Sequence, residues 1–264
     1  MNNIENYEQN KQYNQMVGSS VLFRTFRRTL KKFPLLYKLA RSAYYCALME
    51  PEIEPYDLTP EKIQELLNKP NPTIIEIGCH DGETTQWFID KFQNPQIHCF
   101  EPDPRVIEKF RRRFSNNVNI HLHPFALGES TGRMPFYQSF AADPEGDWDA
   151  SGSLLCPKNV LKEFNQIKFG LPIDVEVKTL DAFCKKNAIN EVDLIWMDVQ
   201  GAELKVITGG LHIFHLARYI VTEYSNKELY DGQPHLKALL SALPKHRVVK
   251  RYPDDVLLQR YEIL

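Results

Sequence analysis

A short β-branched run that turns into a helix through a glycine-containing loop constrains the fold of this chain most strongly. The run covers Thr73–Ile77, and Gly78 and Gly82 follow it before a stretch with helical spacing begins. This pattern predicts a buried strand that leads into a helix through a loop whose backbone a ligand can approach. Units of this kind build parallel α/β sheets, which bind ligands beyond the carboxyl ends of their strands.

A second apolar run, at residues 96–100, ends in the acidic Glu101. Glu101 lies about 20 residues after Gly82, the distance at which nucleotide-binding α/β folds place a carboxylate on the ribose. A carboxylate offers two oxygens to a diol, so Glu101 is predicted to accept both ribose hydroxyls. Capping of the next helix is its competing role, but Asp103 is better placed for that. The two glycines and Glu101 therefore indicate a cofactor that carries a nucleoside.

The residues around the first glycine favour S-adenosylmethionine over a dinucleotide. A dinucleotide fingerprint reads Gly-x-Gly-x-x-Gly and brings helix N–H groups to a pyrophosphate. Here His80 stands where the second glycine belongs, and the acidic Glu76 precedes the first. Glu76 is predicted to contact the amino group of a cationic cofactor or to hold N–H groups of the loop. An NAD-dependent oxidoreductase is further disfavoured because the α/β region lacks a Tyr-x-x-x-Lys catalytic pair.

The composition fits one α/β domain of about 200 residues with an extension. Of the 264 residues, 43% are hydrophobic and 25% are charged, and the net charge of −2 gives no reason to expect nucleic acid as a partner. The five cysteines lack zinc-site spacing, which indicates reduced thiols in a cytoplasmic protein. No apolar run is long enough to span a bilayer, and no signal peptide is recognisable.

Residues 1–58 are predicted to form an extension that precedes the domain. Residues 1–17 are polar without apolar periodicity, which predicts a flexible tail. Residues 18–49 carry apolar side chains at helical spacing with Arg and Lys between them, and Pro34 divides them into two helices. This basic amphipathic segment would either pack on the domain, which is favoured, or lie on the anionic inner face of a membrane. Residues 49–58 are predicted to be a linker.

Strands and helices alternate along residues 59–264, which predicts a single domain with a mostly parallel seven-stranded sheet and a C-terminal antiparallel hairpin. The predicted strands are 73–77, 96–100, 118–123, 194–197 and 219–222, with an extra strand at 134–139 and a hairpin of 247–249 and 256–258. Four carboxyl side chains fall at the carboxyl ends of these strands: Glu76, Glu101, Asp198 and Glu223.

Several motifs resemble those of the FkbM-type methyltransferases. They are Glu76-Ile77-Gly78 with Gly82, Phe100-Glu101-Pro102, Ala126-Leu127-Gly128, and the hexad Asp198-Val199-Gln200-Gly201-Ala202-Glu203 followed by Gly209-Gly210. The resemblance covers roughly residues 72–225 and implies a class I, Rossmann-like methyltransferase fold that uses S-adenosylmethionine. It implies O-methylation of a sugar, a glycan or a small metabolite. The first loop departs from the usual Gly-Ala-Asn-x-Gly of the family, because it reads Gly-Cys-His-Asp-Gly here.

The cofactor is predicted to bind at the carboxyl ends of the first two strands. Phe125 or Ala126 would line the adenine, with a core position as the equal alternative for either residue. A non-catalytic binding module of the same fold is the alternative function, but the presence of Glu101 and Asp198 favours an enzyme. The predicted cofactor contacts are Glu76, Gly78, Cys79, His80, Gly82, Glu101, Pro102, Phe125, Ala126 and Asp198.

Asp198 is the predicted catalytic residue, because the strand that it ends faces the reactive methyl group. Methyl transfer to a hydroxyl needs alignment and the removal of one proton. A carboxylate beside a sulfonium is a weak base on its own, so His80 and Glu223 are predicted helpers. Asp198, Glu203 and Glu223 also offer oxygen ligands that Mg²⁺ prefers, although a favourable interaction with the helix dipole is the preferred role of Glu203.

Residues 139–160 form a long polar insertion rich in Asp, Ser and Gly. Long segments without regular structure are commonly functional, so the insertion is predicted to be a lid over the substrate rather than a plain surface loop. An exposed Trp beside acidic groups suits the face and the hydroxyls of a sugar. The predicted acceptor contacts are Asp147, Trp148, Ser151 and Gln200.

Overall fold

The computed structural model describes residues 52–261. The predicted tail and the basic segment at 18–49 lie outside the described residues. Residues 53–58, predicted as a linker, lie against the domain: the Glu54 N–H donates to the Arg251 carbonyl over 2.8 Å, and Leu58 is buried. Within residues 52–261, no helix has the length and apolar character needed to cross a membrane.

Strands and helices alternate through the described residues as the sequence predicts. The strands are β1 (Thr73–Ile77), β2 (Gln96–Phe100), β3 (Ile120–His123), β4 (Ala126–Leu127), β5 (Gly132–Phe136), β6 (Ser139–Ala141), β7 (Ile167–Phe169), β8 (Ile173–Lys178), β9 (Leu194–Met197), β10 (Tyr219–Glu223), β11 (His246–Arg251) and β12 (Asp255–Arg260). The helices are α1 (Pro60–Leu67), α2 (Glu83–Lys91), α3 (Pro104–Phe114), α4 (Val160–Glu163), α5 (Leu180–Lys186), α6 (Glu203–Gly209), α7 (Leu211–Leu216) and α8 (Leu236–Ala242).

The main sheet has seven strands in the order β11-β12-β10-β9-β1-β2-β3. Strand β12 is antiparallel to both β10 and β11, and the pairs from β10 through β3 are parallel. The predicted mostly parallel sheet with a C-terminal antiparallel hairpin is therefore confirmed. The chain leaves β1 towards β2 and leaves β9 towards β10, on the opposite side. A crevice opens at such a reversal, at the carboxyl ends of the two central strands.

Local sequence signals explain where the helices of the sheet begin. Thr59 caps α1 by accepting the Lys62 N–H over 3.2 Å, with Pro60 in the first turn. Asp103 caps α3 in the same way by accepting the Arg105 N–H over 2.9 Å. The competing assignment of this cap to Glu101 is thus excluded, which leaves Glu101 for another role.

The region between β3 and β9 differs from the prediction. The single extra strand predicted at 134–139 is two strands: β5 pairs with β8, and β6 pairs with β7. Residues 137 and 138 separate them, because the chain changes there from one small sheet to the other. Strand β3 begins at residue 120 rather than 118, since the Asn117 side chain accepts the Asn119 N–H and forms a turn before the strand.

Candidate active site

A cavity of about 230 Å³ lies at the carboxyl ends of β1, β2 and β9. Among the described residues that line it, no Lys or Arg occurs, but six acidic residues do. An acidic lining suits a cationic ligand such as a sulfonium with an amino group, and it opposes the pyrophosphate of a dinucleotide. The acidic lining residues are Asp81, Glu83, Glu101, Asp103, Asp149 and Asp198.

The two loop glycines are required by contacts within the protein. Gly78 has φ +80°, and a Cβ at this position would stand 1.8 Å from the Asp198 carbonyl oxygen. Gly78 therefore lets the ends of β1 and β9 meet and form the floor of the cavity. Gly82 has φ +87°, and its Cβ would stand 2.2 Å from Cε2 of Phe114. Gly82 lies outside the cavity lining, so it serves the packing of α2 on α3 rather than the approach of a ligand.

Glu101 is a buried carboxyl group on the cavity wall. One oxygen, Oε2, accepts the His80 N–H over 3.1 Å, and the other, Oε1, accepts the Asp103 N–H over 2.9 Å. Burial raises the pKa of Glu101 to about 7, although the N–H group of Asp103 acts in the opposite direction. Each carboxylate oxygen can accept a second hydrogen bond, so both remain able to bind a hydroxyl.

Two predicted cofactor contacts lie behind the cavity wall. Glu76 is buried and accepts hydrogen bonds from the Thr85 hydroxyl at 2.5 Å and the Cys99 thiol at 3.7 Å, which joins β1 to α2 and β2. Burial raises the pKa of Glu76 to about 8, so the group is mostly protonated at neutral pH and offers little charge to a cation. Phe125 packs in the core beside Phe183, 6.0 Å between ring centroids.

Apart from Gly82, the other predicted cofactor contacts line the cavity. They are Gly78, Cys79, His80, Glu101, Pro102, Ala126 and Asp198. His80 adopts a left-handed conformation with φ +49°, which projects its backbone N–H towards Glu101. The loop therefore keeps its glycine-like path although a histidine stands where the dinucleotide fingerprint has glycine.

Gln200 joins two carboxyl groups at the ends of β9 and β10. Its amide nitrogen donates to Asp198 Oδ1 over 2.7 Å and to Glu223 Oε2 over 3.0 Å. Asp198 and Gln200 line the cavity, and Asp198 is exposed there. Burial raises the pKa of Glu223 well above its ordinary value, and the charge and hydrogen bond of Asp198 add to this effect. Both effects favour the protonated form of Glu223 beside Asp198.

The predicted magnesium site gains no support from this geometry. The described residues contain no group of three or more His, Cys, Asp or Glu side chains arranged to hold a metal ion. The Gln200 amide stands between Asp198 and Glu223, where a shared ion would bind. Glu203 faces its own turn, where Oε1 accepts the N–H groups of Gly201 at 3.0 Å and Val199 at 3.3 Å. This explains its burial more fully than the helix dipole does.

Residues 142–159, named here the covering segment, connect β6 to α4 beside the cavity. Asp149 fastens it to the first loop and to α3, since its carboxylate binds His80 Nε2 at 2.6 Å and Lys109 Nζ at 2.7 Å. Burial acts to raise the pKa of Asp149, but the hydrogen bonds with Lys109 and His80 outweigh it and lower the pKa. Asp149, Gly152 and Leu154 of the segment line the cavity.

The predicted acceptor contacts separate into two groups. Gln200 lines the cavity, whereas Asp147, Trp148 and Ser151 lie outside its lining. Asp147 is largely exposed, and the Trp148 indole N–H donates to the Ser151 hydroxyl over 3.1 Å. Sequence reasoning missed Tyr230, a buried residue whose hydroxyl contacts the Ser151 carbonyl at 2.8 Å. No motif surrounds Tyr230 in the sequence, so only the tertiary structure identifies it.

Comparison with known proteins identifies the family of this chain. Residues 76–252 match the family model described as methyltransferase FkbM domain. The chain belongs to the FkbM methyltransferase family. It is an enzyme that uses S-adenosylmethionine, and its sheet has the Rossmann-like class I methyltransferase fold. The predicted family and fold are confirmed, and the non-catalytic alternative gains no support.

Two curated relatives align over most of the FkbM chain. The 2-O-methyltransferase NoeI of Sinorhizobium fredii is 40% identical over 206 residues, which cover 76% of this chain and 85% of NoeI. Methyltransferase sdnD of Sordaria araneosa is 26% identical over 234 residues, which cover 78% of this chain and 87% of sdnD. Among solved structures, magnesium protoporphyrin IX methyltransferase from Synechocystis with bound SAM covers 84% of this chain and 91% of its own, with 8% identity and a TM-score of 0.40.

Proposed function

We propose that this FkbM methyltransferase methylates a hydroxyl group of a sugar, a glycan or another small metabolite. The observation that carries the proposal is the Asp198–Glu223 carboxyl pair at the ends of β9 and β10, of which Asp198 lines the acidic cavity. A carboxylate in this place can align a hydroxyl and receive its proton. The 40% identity to NoeI, a 2-O-methyltransferase, supports transfer to oxygen.

The residues of the cavity fit the cofactor in charge and in hydrogen-bonding capacity. Glu101 would hold the ribose hydroxyls with the acceptor capacity that the protein leaves on each oxygen. Gly78, Cys79 and His80 would approach the cofactor through the backbone of the first loop. When bound, S-adenosylmethionine supplies an electrophilic methyl group on a sulfonium.

Asp198 does not need to be a strong base for this reaction. The acceptor hydroxyl becomes strongly acidic only as its oxygen forms a new bond to carbon, so a weak carboxylate base is sufficient at that stage. Before that, Asp198 accepts the hydrogen bond of the hydroxyl and orients the oxygen lone pair. Burial and the nearby Asp198 charge raise the pKa of Glu223, which favours its protonated form and limits the negative charge of the pair.

Incubation with labelled S-adenosylmethionine tests the reaction class. We expect neutral glycosides and oligosaccharides to gain the mass of one methyl group, with the label on oxygen. The matched control is the same glycoside with the modified hydroxyl replaced by hydrogen, which should gain no label. Methylation that occurs only on the nitrogen of an amino acceptor, with every hydroxyl unchanged, would contradict the proposal.

Glu101→Ala is expected to weaken S-adenosylhomocysteine binding by about 1–3 kcal/mol, because charge-assisted hydrogen bonds to the ribose are lost. Ionised Glu101 is the stronger acceptor, and its pKa is about 7. Affinity in the unmodified protein should therefore rise between pH 6 and pH 8, and Glu101→Gln should flatten that rise. Calorimetry measures both effects, with Glu129→Gln, which removes an exposed carboxylate paired with Lys205, as the control. An unchanged affinity of Glu101→Ala for S-adenosylhomocysteine would show that Glu101 does not bind the ribose.

A further inference from the structure

We propose that Gln200 is a positioning residue that holds the Asp198–Glu223 pair in its reactive arrangement and couples that arrangement to the covering segment. This inference rests on the proposed function, because it assigns Gln200 a role in the same reaction. It also differs from the role predicted from the sequence, in which Gln200 binds the acceptor.

The side-chain amide of Gln200 is fully engaged by the protein. The two hydrogens of Nε2 are directed to Asp198 Oδ1 at 2.7 Å and Glu223 Oε2 at 3.0 Å. The amide oxygen lies 3.2 Å from the Tyr230 hydroxyl. The opposite orientation of the amide would place its oxygen against the Asp198 carboxylate, which is unfavourable. No amide hydrogen remains for an acceptor, so Gln200 acts on the reaction through the two carboxyl groups.

The contacts of the amide favour negative charge on the carboxyl pair. An N–H donor stabilises the ionised form of a carboxylate and lowers the pH at which it becomes charged. Gln200 supplies such a donor to both carboxyl groups at once. Four further groups act on Glu223 or lie beside it and must be considered in any pH experiment: Asp198, Glu203, Asp255 and Tyr230.

The backbone carbonyl of Gln200 forms a hydrogen bond with the covering segment. Gln200 has φ +51°, and its carbonyl accepts the Ser153 hydroxyl over 2.8 Å. The Tyr230 hydroxyl, which contacts the Gln200 amide oxygen, also contacts the Ser151 carbonyl at 2.8 Å. Ser153 thus contacts Gln200 directly, and Ser151 is linked to Gln200 through the Tyr230 hydroxyl. Displacement of the segment from the cavity would remove these contacts and release the amide.

The decisive comparison is between Gln200→Leu and Gln233→Leu. Gln233 is a matched control, because its side-chain oxygen accepts the N–H groups of Leu229 at 3.0 Å and Tyr230 at 3.2 Å. It therefore supports the same loop through the backbone rather than through the carboxyl pair. Gln200→Leu should lower kcat by about 10–100-fold, a range typical of residues that orient a reactive group, with the S-adenosylhomocysteine Kd changed less than about threefold.

The pH profile separates positioning from a merely structural role. Removal of the amide donor should move the acidic limb of kcat/KM to higher pH by about 0.5–1 unit, since one hydrogen bond to a charged group is lost. Gln200→Glu, which keeps the shape but adds a third carboxyl group, should move the limb further in the same direction. Gln233→Leu should leave the limb where it is. An identical profile in Gln200→Leu and the unmodified enzyme would overturn the positioning role.

Hydrogen exchange in the complex with S-adenosylhomocysteine tests the coupling without any acceptor. We expect Gln200→Leu to accelerate exchange across residues 142–159, and Gln233→Leu to accelerate it mainly across residues 225–235. Unchanged exchange of the covering segment in Gln200→Leu would overturn the coupling. If the unmodified enzyme methylates no hydroxyl, the proposed function fails, but this measurement still decides whether Gln200 holds the segment.

Discussion

Replacement of Asp198 by asparagine is expected to lower kcat by about 10²–10⁴-fold, the usual cost of losing a general base. Asparagine keeps the shape of the side chain but removes its charge, so the acceptor hydroxyl loses both its proton acceptor and its strongest orienting contact. The adenosyl part of the cofactor is assigned to the ends of β1 and β2, and the S-adenosylhomocysteine Kd should change little. A loss in kcat without a loss in cofactor binding is typical of a residue that acts in the transition state.

Single-turnover kinetics on an acceptor that the enzyme methylates measures the loss in kcat. Calorimetry with S-adenosylhomocysteine measures the cofactor Kd separately. Asp193→Asn is the matched control: Asp193 precedes the same strand at its other end, where it accepts the Thr73 N–H over 2.9 Å and pairs with Lys69. That change should lower stability but leave kcat near normal. Treatment with EDTA should not affect the unmodified enzyme, because the carboxyl pair is held by Gln200. Near-normal kcat in Asp198→Asn would refute the assignment and make His80 the leading candidate.

Replacement of Gly78 by alanine is expected to destabilise the protein by about 2–5 kcal/mol and to abolish cofactor binding. Two costs combine, since a side chain at φ +80° is strained and its Cβ would overlap the Asp198 carbonyl oxygen at 1.8 Å. Relief of the overlap requires the ends of β1 and β9 to separate, which opens the floor of the cavity. For a domain of this size, the melting temperature should fall by roughly 10 °C.

Gly132→Ala provides the comparison for this change, because a Cβ at Gly132 meets no atom within 4 Å. Thermal unfolding followed by circular dichroism should show the large decrease only for Gly78→Ala. Calorimetry on the folded fraction at low temperature then separates loss of the site from loss of the fold. Equal melting temperatures for the two variants would show that the ends of β1 and β9 are not in close contact at Gly78 and Asp198.

Local sequence patterns determined the sheet. The runs of β1, β2, β9 and β10 are largely apolar and buried, and their alternation with helices favours a parallel sheet covered on both faces. Because the carboxyl ends of parallel strands share one edge, the sequence also brought Glu101 and Asp198 together at the cavity. Local sequence also determined the N-cap of α3, because Asp103 stands immediately before Pro104.

Tertiary structure alone decided which acidic side chains reach the cavity. Glu76 lies within β1 and is buried against Thr85 of α2, whereas Glu101 follows the end of β2 and lines the cavity. The sequence predicts a cofactor contact at Gly82, but in the structure Phe114 of α3 packs against this glycine. Gln200 meets Ser153 and Tyr230 only because segments 47 and 30 residues away fold onto it. Contacts between residues so far apart cannot be predicted from sequence spacing. They determine which polar groups remain free to bind substrate or cofactor.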